Sequence, residues 1–285
     1  MRTPTIRPML PSDVLAATRA LVDDNWGDRH GWFEFATSHA ACRAFVAEAE
    51  GDIVGTAVGT ANGPAGWIGT IWVDPDHRRA GLGRALTGAV IDALDTAGCR
   101  TLVLVATEQG LPLYEGMGFV QQARYEILEA AGLDDTAPAD DDVRPFAPAD
   151  LPSMLALDRE ATGEDRAHAI RRFAAPDSTR VLRVAGMVRA FVIRAPWGGG
   201  ATIAPEHASA RRILDARRRA SGPHGRVRVG IVTMTGSDGR VRDTDRKRIA
   251  ALGLRPVWSA PRLVRGEPLA WRPDWIWGQF NHAMG

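Results

Sequence analysis

The chain has 285 residues, 45% of them hydrophobic and 24% charged, with a formal net charge of +1. That is enough for one large domain or two of about 140 residues each. No apolar run reaches the roughly 18 residues of a membrane-spanning helix, and the opening MRTPTIRPML lacks the apolar core of a signal peptide. The two cysteines, Cys42 and Cys99, have no partners at metal-ligand spacing. A cytoplasmic protein is therefore expected, with reduced thiols, no metal site and no membrane association.

In chain order, an apolar-Arg-Pro start at 6–8 leads into helical patterns over 12–24 and 32–42. Strand patterns follow at 44–49, 53–60 and 67–73, then a helix over 81–97, a strand over 101–106, a short helix over 109–116 and a strand over 119–128. Residues 129–142, EAAGLDDTAPADDD, are acidic and poor in apolar side chains, as in an exposed linker. After it the chain begins again. Ile6-Arg7-Pro8-Met9-Leu10-Pro11-Ser12-Asp13 is echoed by Val143-Arg144-Pro145-Phe146-Ala147-Pro148-Ala149-Asp150. Val73-Asp74-Pro75-Asp76-His77 is echoed by Ile203-Ala204-Pro205-Glu206-His207, and Met117-Gly118-Phe119 by Leu252-Gly253-Leu254. Three echoes in one order point to a duplicated fold. The second copy predicts helices up to 173, strands at 180–184, 188–193 and 201–203, a helix over 207–220, a strand over 226–232, a helix over 241–251, and strands near 257–264 and 275–280. The expected class is α+β: residues 1–128 and 143–285 each form a mixed, mostly antiparallel sheet with a central parallel pair and flanking helices. The first helix can be capped by Ser12 or Asp13. The net charge is uneven: −5 over 1–128, −6 over 129–142 and +12 over 143–285.

The stretch carrying chemistry runs from Ile71 to Leu86. An apolar strand ends at Val73, Pro75 stops it, and a turn holding Gly81 and Gly83 opens a helix. Such a turn aims unpaired N–H groups at one point, glycines leave the backbone bare, and Arg78, Arg79 and Arg84 add positive charge. The expectation is a pyrophosphate cradle. A Walker loop is excluded because no Lys is present, and the dinucleotide fingerprint fails because Leu86 stands where its third glycine belongs. A second element, Leu113-Tyr114-Glu115-Gly116-Met117-Gly118-Phe119, presents Tyr114 on a short helix with Gly118 as its cap.

Together these elements resemble the GNAT superfamily of N-acetyltransferases, and the segment Leu157–Arg166 with the ending Trp275–Gly285 resembles the divergent second copy of its bacterial tandem form. The family's Q/R-x-x-G-x-G/A is matched by Arg78-x-x-Gly81-x-Gly83, and its late L-Y-E-x-x-G-F by residues 113–119. The resemblance covers roughly residues 3–128. It implies acetyl-coenzyme A as cosubstrate, a primary amine of a small molecule as acceptor, and direct transfer in a ternary complex. Backbone groups of Ile71 and Val73 would meet the pantetheine arm, and the Val73 N–H would polarise the thioester carbonyl. Amides of Arg79, Ala80, Gly81, Leu82, Gly83 and Arg84 would hold the pyrophosphate beside Arg78, and Tyr114 would protonate the departing thiolate. The family often carries a Glu on the strand before the loop; here that strand, 67–73, has no acid. The acceptor segment offers Trp26, His30, Trp32 and Glu34, with Phe33 and His39 nearby; the base is left open, a water relay included.

The repeat supplies an internal control. Aligning the second echo places Arg211 opposite Gly81 and Ile213 opposite Gly83, and the third places Ile249 opposite Tyr114. The second copy is therefore expected to be a degenerate fold without its own cofactor. Its Arg211, Arg212 and Arg217–Arg219 fit docking against the acidic first half, or contact with an anionic acceptor, better than nucleic acid, since no basic-aromatic binding motif accompanies them. A fragment ending near Glu129 is expected to bind acetyl-coenzyme A alone. Two other readings are a non-catalytic acyl-coenzyme A sensor and a protein lysine or N-terminal acetyltransferase. The oligomeric state is open, a dimer included.

Overall fold

A computed structural model describes residues 3–134, 136, 139–235 and 241–285. Three residues of the acidic segment, 135, 137 and 138, lie outside the described residues. The first half contains β1 (Thr5–Pro8), α1 (Val14–Asp23), α2 (His30–Ser38), β2 (Cys42–Ala49), β3 (Asp52–Asn62), β4 (Ala65–Val73), α3 (Leu82–Thr96), β5 (Thr101–Val105), α4 (Leu111–Glu115) and β6 (Val120–Ala131). The second contains β7 (Val143–Pro145), α5 (Leu151–Thr162), α6 (Ala167–Phe173), β8 (Thr179–Val184), β9 (Met187–Arg194), β10 (Gly200–Ile203), α7 (His207–Ala220), β11 (Arg226–Thr233), α8 (Asp243–Ala250), β12 (Arg255–Gly266) and β13 (Ile276–Gly278). The α+β class is as expected.

Two of the three echoes, the first and the third, mark equivalent turns. In the first, a 3-10 turn precedes the helix in both halves, and the Asp side chain reaches back: Asp13 accepts from Leu10 N–H at 2.7 Å, Asp150 from Ala147 N–H at 2.8 Å. Asp13 thus secures the 3-10 turn and is not the cap of α1 that was expected. In the third, Gly118 and Gly253 both adopt positive φ, 84° and 66°, one turn before β6 and β12.

The sheets do not divide as the repeat predicts. One has eight strands in the order β1-β2-β3-β4-β5-β12-β6-β11, the other five in the order β13-β10-β9-β8-β7. β12, from the second half, lies between β5 and β6 of the first, antiparallel to both. β6 in turn lies between β12 and β11 of the second half. The halves have exchanged strands. Each supplies an interior strand to the eight-stranded sheet, which is not complete without both halves.

Among the described residues only the first half has a parallel pair, Ala65–Ile68 of β4 with Thr101–Leu104 of β5. The pair expected in the second half is absent, because β13 pairs with β10 in its place while β11 joins the other sheet. Nor does the acidic linker begin at 129. β6 runs to Ala131, and Glu129 is buried, accepting from Arg226, Arg228 and Arg255 at 3.2, 2.8 and 2.7 Å. Those guanidinium groups, Arg228 foremost, hold its carboxyl below the usual carboxylate range. Arg212 grips Asp140 at 2.5 Å and Asp142 at 2.7 Å, so the basic half takes up acids of the 129–142 segment.

α3 packs closely on the sheet because the strands beneath it are stripped to glycine: a Cβ at Gly59 would stand 2.6 Å from Val90, one at Gly55 2.8 Å from Leu86. On the opposite face one core runs through both halves, with Trp32 edge-on to Trp197 at 5.2 Å and Phe35 against Phe173 at 5.2 Å. Of the late aromatic cluster, Trp277 and Phe280 are buried, and Trp277 donates to Ala204 O at 2.9 Å. No helix among the described residues is long and apolar enough to cross a membrane.

Candidate active site

The site begins at a defect in β4. The β3–β4 register slips between Thr56 and Val58, and Thr70 in the resulting bulge adopts φ 51°, a costly conformation for a β-branched residue. Two hydrogen bonds hold it there: Thr56 Oγ1 donates to Thr70 O at 2.8 Å, and Trp32 Nε1 donates to Thr70 Oγ1 at 3.0 Å. Past Ile68 the two parallel strands part, leaving a gap. Asp74 N–H donates to Val54 O at 2.9 Å, so ladder alternation turns the main chain of Val73 and Ile71 away from β3 and toward the gap.

At the end of β4 a 3-10 turn, Pro75–His77, leads into the loop that starts α3. Arg79 and Gly81 take φ 63° and 82°, and Gly81 caps the helix. Among the described residues no amide from Arg79 to Arg84 has a hydrogen-bond partner. Nothing stands within 4 Å of a Cβ built on Gly81. Six bare amides at the N-terminus of a ten-residue-plus helix fit an anionic diphosphate.

The arginines divide differently from expectation. Arg78 turns back along the strand: its Nε donates to Val73 O at 2.8 Å, and its terminal nitrogen binds Asp24. Asp24 also accepts from Trp72 Nε1 at 2.8 Å. Arg84 donates to Gly116 O at 3.3 Å, tying α3 to the end of α4. Arg79 alone forms none of the side-chain bonds that engage the other two.

Tyr114 sits on α4, nearly buried, its ring edge-on to Phe119 at 6.3 Å. Burial pushes its phenol up to about 12. It lines a cavity of about 940 Å³ that holds Val73, Arg78, Gly83 and Tyr114 on one side. Trp26 and Trp32 line the same cavity, as their position in the sequence suggested. His30 and Glu34 do not. They pair with each other at 3.2 Å, side chains 46% and 63% exposed, on the outer face of α2, because Trp32, Phe33 and Phe35 claim the inner one. His39 stacks on Phe35 at 4.7 Å and accepts from Ala41 N–H.

The far wall belongs to the second half, which sequence reasoning missed. Trp197, Arg217, Gln279 and His282 all line the cavity. His282 lies beside Tyr125 at 5.3 Å, and burial pushes its imidazole down to about 4. Its carbonyl oxygen would stand 2.6 Å from a Cβ at Gly69, so only glycine lets the closing segment reach the bulge. That segment is pinned to β3 as well, with Thr60 Oγ1 donating to Ala283 O at 2.7 Å and Asn62 Nδ2 to Met284 O at 2.8 Å. No local pattern marks these residues; the strand exchange brings them in. Thr70 and Asp24 were missed too, and of the two only Thr70, between strand-forming neighbours, has a backbone anomaly that structure alone reveals. Neither cysteine belongs to the site: both are buried, and Cys42 is pushed up to about 11.

Among the described residues the second half has no equivalent gap. The connection from β10 to α7 is only 204–206, against 74–81 in the first half. β13 fills the place beside β10, and Ala204 N–H donates to Trp275 O at 3.0 Å.

Residues 12–119 match the Acetyltransferase (GNAT) family. YitH of Bacillus subtilis, an uncharacterized N-acetyltransferase, is 28% identical over 171 residues, 58% of this chain and 59% of that relative. The ribosomal protein bS18-alanine N-acetyltransferase of Escherichia coli is 46% identical over 52 residues, 17% of this chain and 35% of that protein. The chain thus spans less than two thirds of these relatives. Two solved structures share its whole architecture: one from Pyrococcus horikoshii at TM-score 0.80 and 20% identity, covering 100% of this chain and 97% of that one, and the tandem GNAT protein of the clavulanic acid pathway at TM-score 0.59 and 15% identity, covering 93% and 99%. Residues 12–119 therefore carry a GNAT acetyltransferase domain, and the chain as a whole shares its fold with a solved tandem GNAT protein.

Proposed function

We propose that the protein transfers an acetyl group from acetyl-coenzyme A to the primary amine of a small molecule, by direct attack in a ternary complex. One observation carries this reading. A single gap, opened at Thr70, is lined by Val73, Gly83 and Tyr114, and Gly83 belongs to a run of six unpaired amides, 79–84, at the start of α3. The diphosphate would rest on the amides of Arg79–Arg84, and the thioester would then lie between Val73 and Tyr114.

The acceptor nitrogen attacks the thioester carbon. A C–N bond forms and the C–S bond breaks; the nitrogen releases one proton and the sulfur gains one, giving an amide and a thiol. The Val73 N–H faces the oxygen on which charge develops. The Tyr114 phenol, protonated at every working pH, donates to the departing sulfur. Asp24 is the sole carboxylate on the cavity wall among the described residues, and Arg78 and Trp72 already occupy it. The imidazole of His282, held near 4, is too weak a base for an alkylammonium. Water is left as the acceptor of the amine's proton.

The test is thiol release from acetyl-coenzyme A against a panel of primary amines, with the acetylated product identified by mass spectrometry. Calorimetric titration of Gly81→Arg accompanies it. The substitution places a β-branch-free but long side chain at φ 82° in the cradle and should abolish acetyl-coenzyme A binding. Tight binding with no thiol release for any amine would instead favour the sensor. Normal binding by the Gly81→Arg protein would refute the placement of the diphosphate.

A further inference from the structure

The second half presents two polar side chains to the cavity that the fold leaves unsatisfied. Arg217, on α7, is 6% exposed and lines the cavity, yet forms no ion pair with any described carboxylate. Its single hydrogen bond is a long one, 3.4 Å, to Gly198 O. Gln279, just after β13, is 7% exposed and lines the same cavity, and neither Oε1 nor Nε2 has a partner. Gly230 on β11 makes room for it: a Cβ there would stand 3.0 Å from both amide atoms. Both residues adjoin one strip, Gly198–Gly200: the Arg217 side chain donates to Gly198 O, and Gly200 N–H donates to the main-chain oxygen of Gln279 at 3.0 Å.

A buried guanidinium without a counter-ion is costly, and so is a buried amide with no partner. Both costs vanish if a ligand brings the missing groups. The charge around the cavity says which. Asp24 is taken by Arg78, and Arg228 by Glu129 at 2.8 Å; Arg29 donates to Asp28 O at 3.0 Å. What is left over is positive. A planar carboxylate matches the guanidinium fork and leaves an oxygen for the Gln279 N–H.

We infer that the acceptor amine also carries a carboxylate, bound by Arg217 and Gln279. This rests on the acyl-transfer reading, and it makes the second half, although it lacks a coenzyme loop of its own, the specificity wall of the first half's site.

The primary test uses the full wild-type chain. Thiol release is measured with 4-aminobutanoate, n-butylamine and 3-aminopropyl phosphate at saturating acetyl-coenzyme A. The expected result is kcat/KM at least about tenfold higher for the carboxylate than for the alkylamine, carried mostly in KM. A phosphate preferred over the carboxylate, or no preference for either anion, overturns the inference while leaving acyl transfer standing. In Arg217→Gln the ratio of the two acceptors should fall about tenfold or more, with Arg217→Lys recovering part of it. Where Arg217→Gln melts early, Gln279→Leu provides the second variant, which should weaken 4-aminobutanoate and leave its ratio to n-butylamine reduced. Binding of 4-aminobutanoate to the coenzyme A complex, followed by ligand-observed NMR, gives a readout without turnover. Binding that Arg217→Gln abolishes supports the inference even if no amine is acetylated, whereas equal binding by wild type and variant refutes it.

Discussion

The Tyr114 phenol, pushed up to about 12 by burial against Phe119, is a weaker acid than an exposed tyrosine but is never lost to ionisation in an ordinary assay. Its hydroxyl can therefore donate to sulfur at any pH below about 11. Tyr114→Phe should lower kcat about a hundredfold, with acetyl-coenzyme A affinity unchanged in titration. The shape of the pH–rate profile between 6 and 10 should be the same for variant and wild type, because the group removed does not titrate there. A variant with wild-type kcat would take Tyr114 out of the acid role, and an alkaline limb that vanishes with the substitution would show that the phenol ionises in the working range. The places of Tyr114, Gly81 and Gly83 on α4 and at the start of α3 were legible in the sequence because local motif spacing fixes them. Arg217, Gln279 and His282 were not, since each reaches the cavity through contacts far apart in the chain.

At the scale of elements, the strands and helices followed from periodicity and from Pro and Gly punctuation, and predicted ends lie within a few residues of those observed. The departures have one origin, which periodicity cannot express: which strand a strand pairs with. β6 and β12 carry strand-like patterns that do not name a partner, and their partners come from the opposite half. β13 has the same character. It occupies the place beside β10 that the repeat would leave open, and the segment after it crosses to the bulge of β4. That crossing turns on Gly69, where a Cβ would stand 2.6 Å from His282 O and 2.7 Å from Ala283 Cβ. Gly69→Val should push the closing segment off β4. The expected outcome is a rise in KM for the amine of about tenfold or more with the dissociation constant for acetyl-coenzyme A little changed, since the cradle lies beyond the bulge. Equal kinetics in variant and wild type would mean the closing segment is not part of the acceptor wall.

For the whole molecule, exchange of β6 and β12 changes what a half of this chain is. The sequence suggested a first half able to bind acetyl-coenzyme A by itself. In the structure that half lacks the strand between β5 and β6, so its sheet would break into β1-β2-β3-β4-β5 and a lone β6. β5 would expose an unpaired edge, Leu104 and Val103 would lose the cover of Leu263 and Val264, and Tyr125 and Ile127 on β6 would be left in water. The second half is no better placed, since β11 pairs with nothing among the described residues except β6. Fragments 1–136 and 137–285 expressed separately should therefore aggregate or give poorly dispersed NMR spectra. Expressed together they should co-purify and recover acetyl-coenzyme A binding, because strand pairing does not require the covalent connection. The intact chain should unfold in one cooperative transition with coincident near-ultraviolet and far-ultraviolet signals. A soluble 1–136 fragment that binds acetyl-coenzyme A alone, or two separate unfolding transitions in the intact chain, would mean that β6 can close its own half, and that the exchange is not what joins the two.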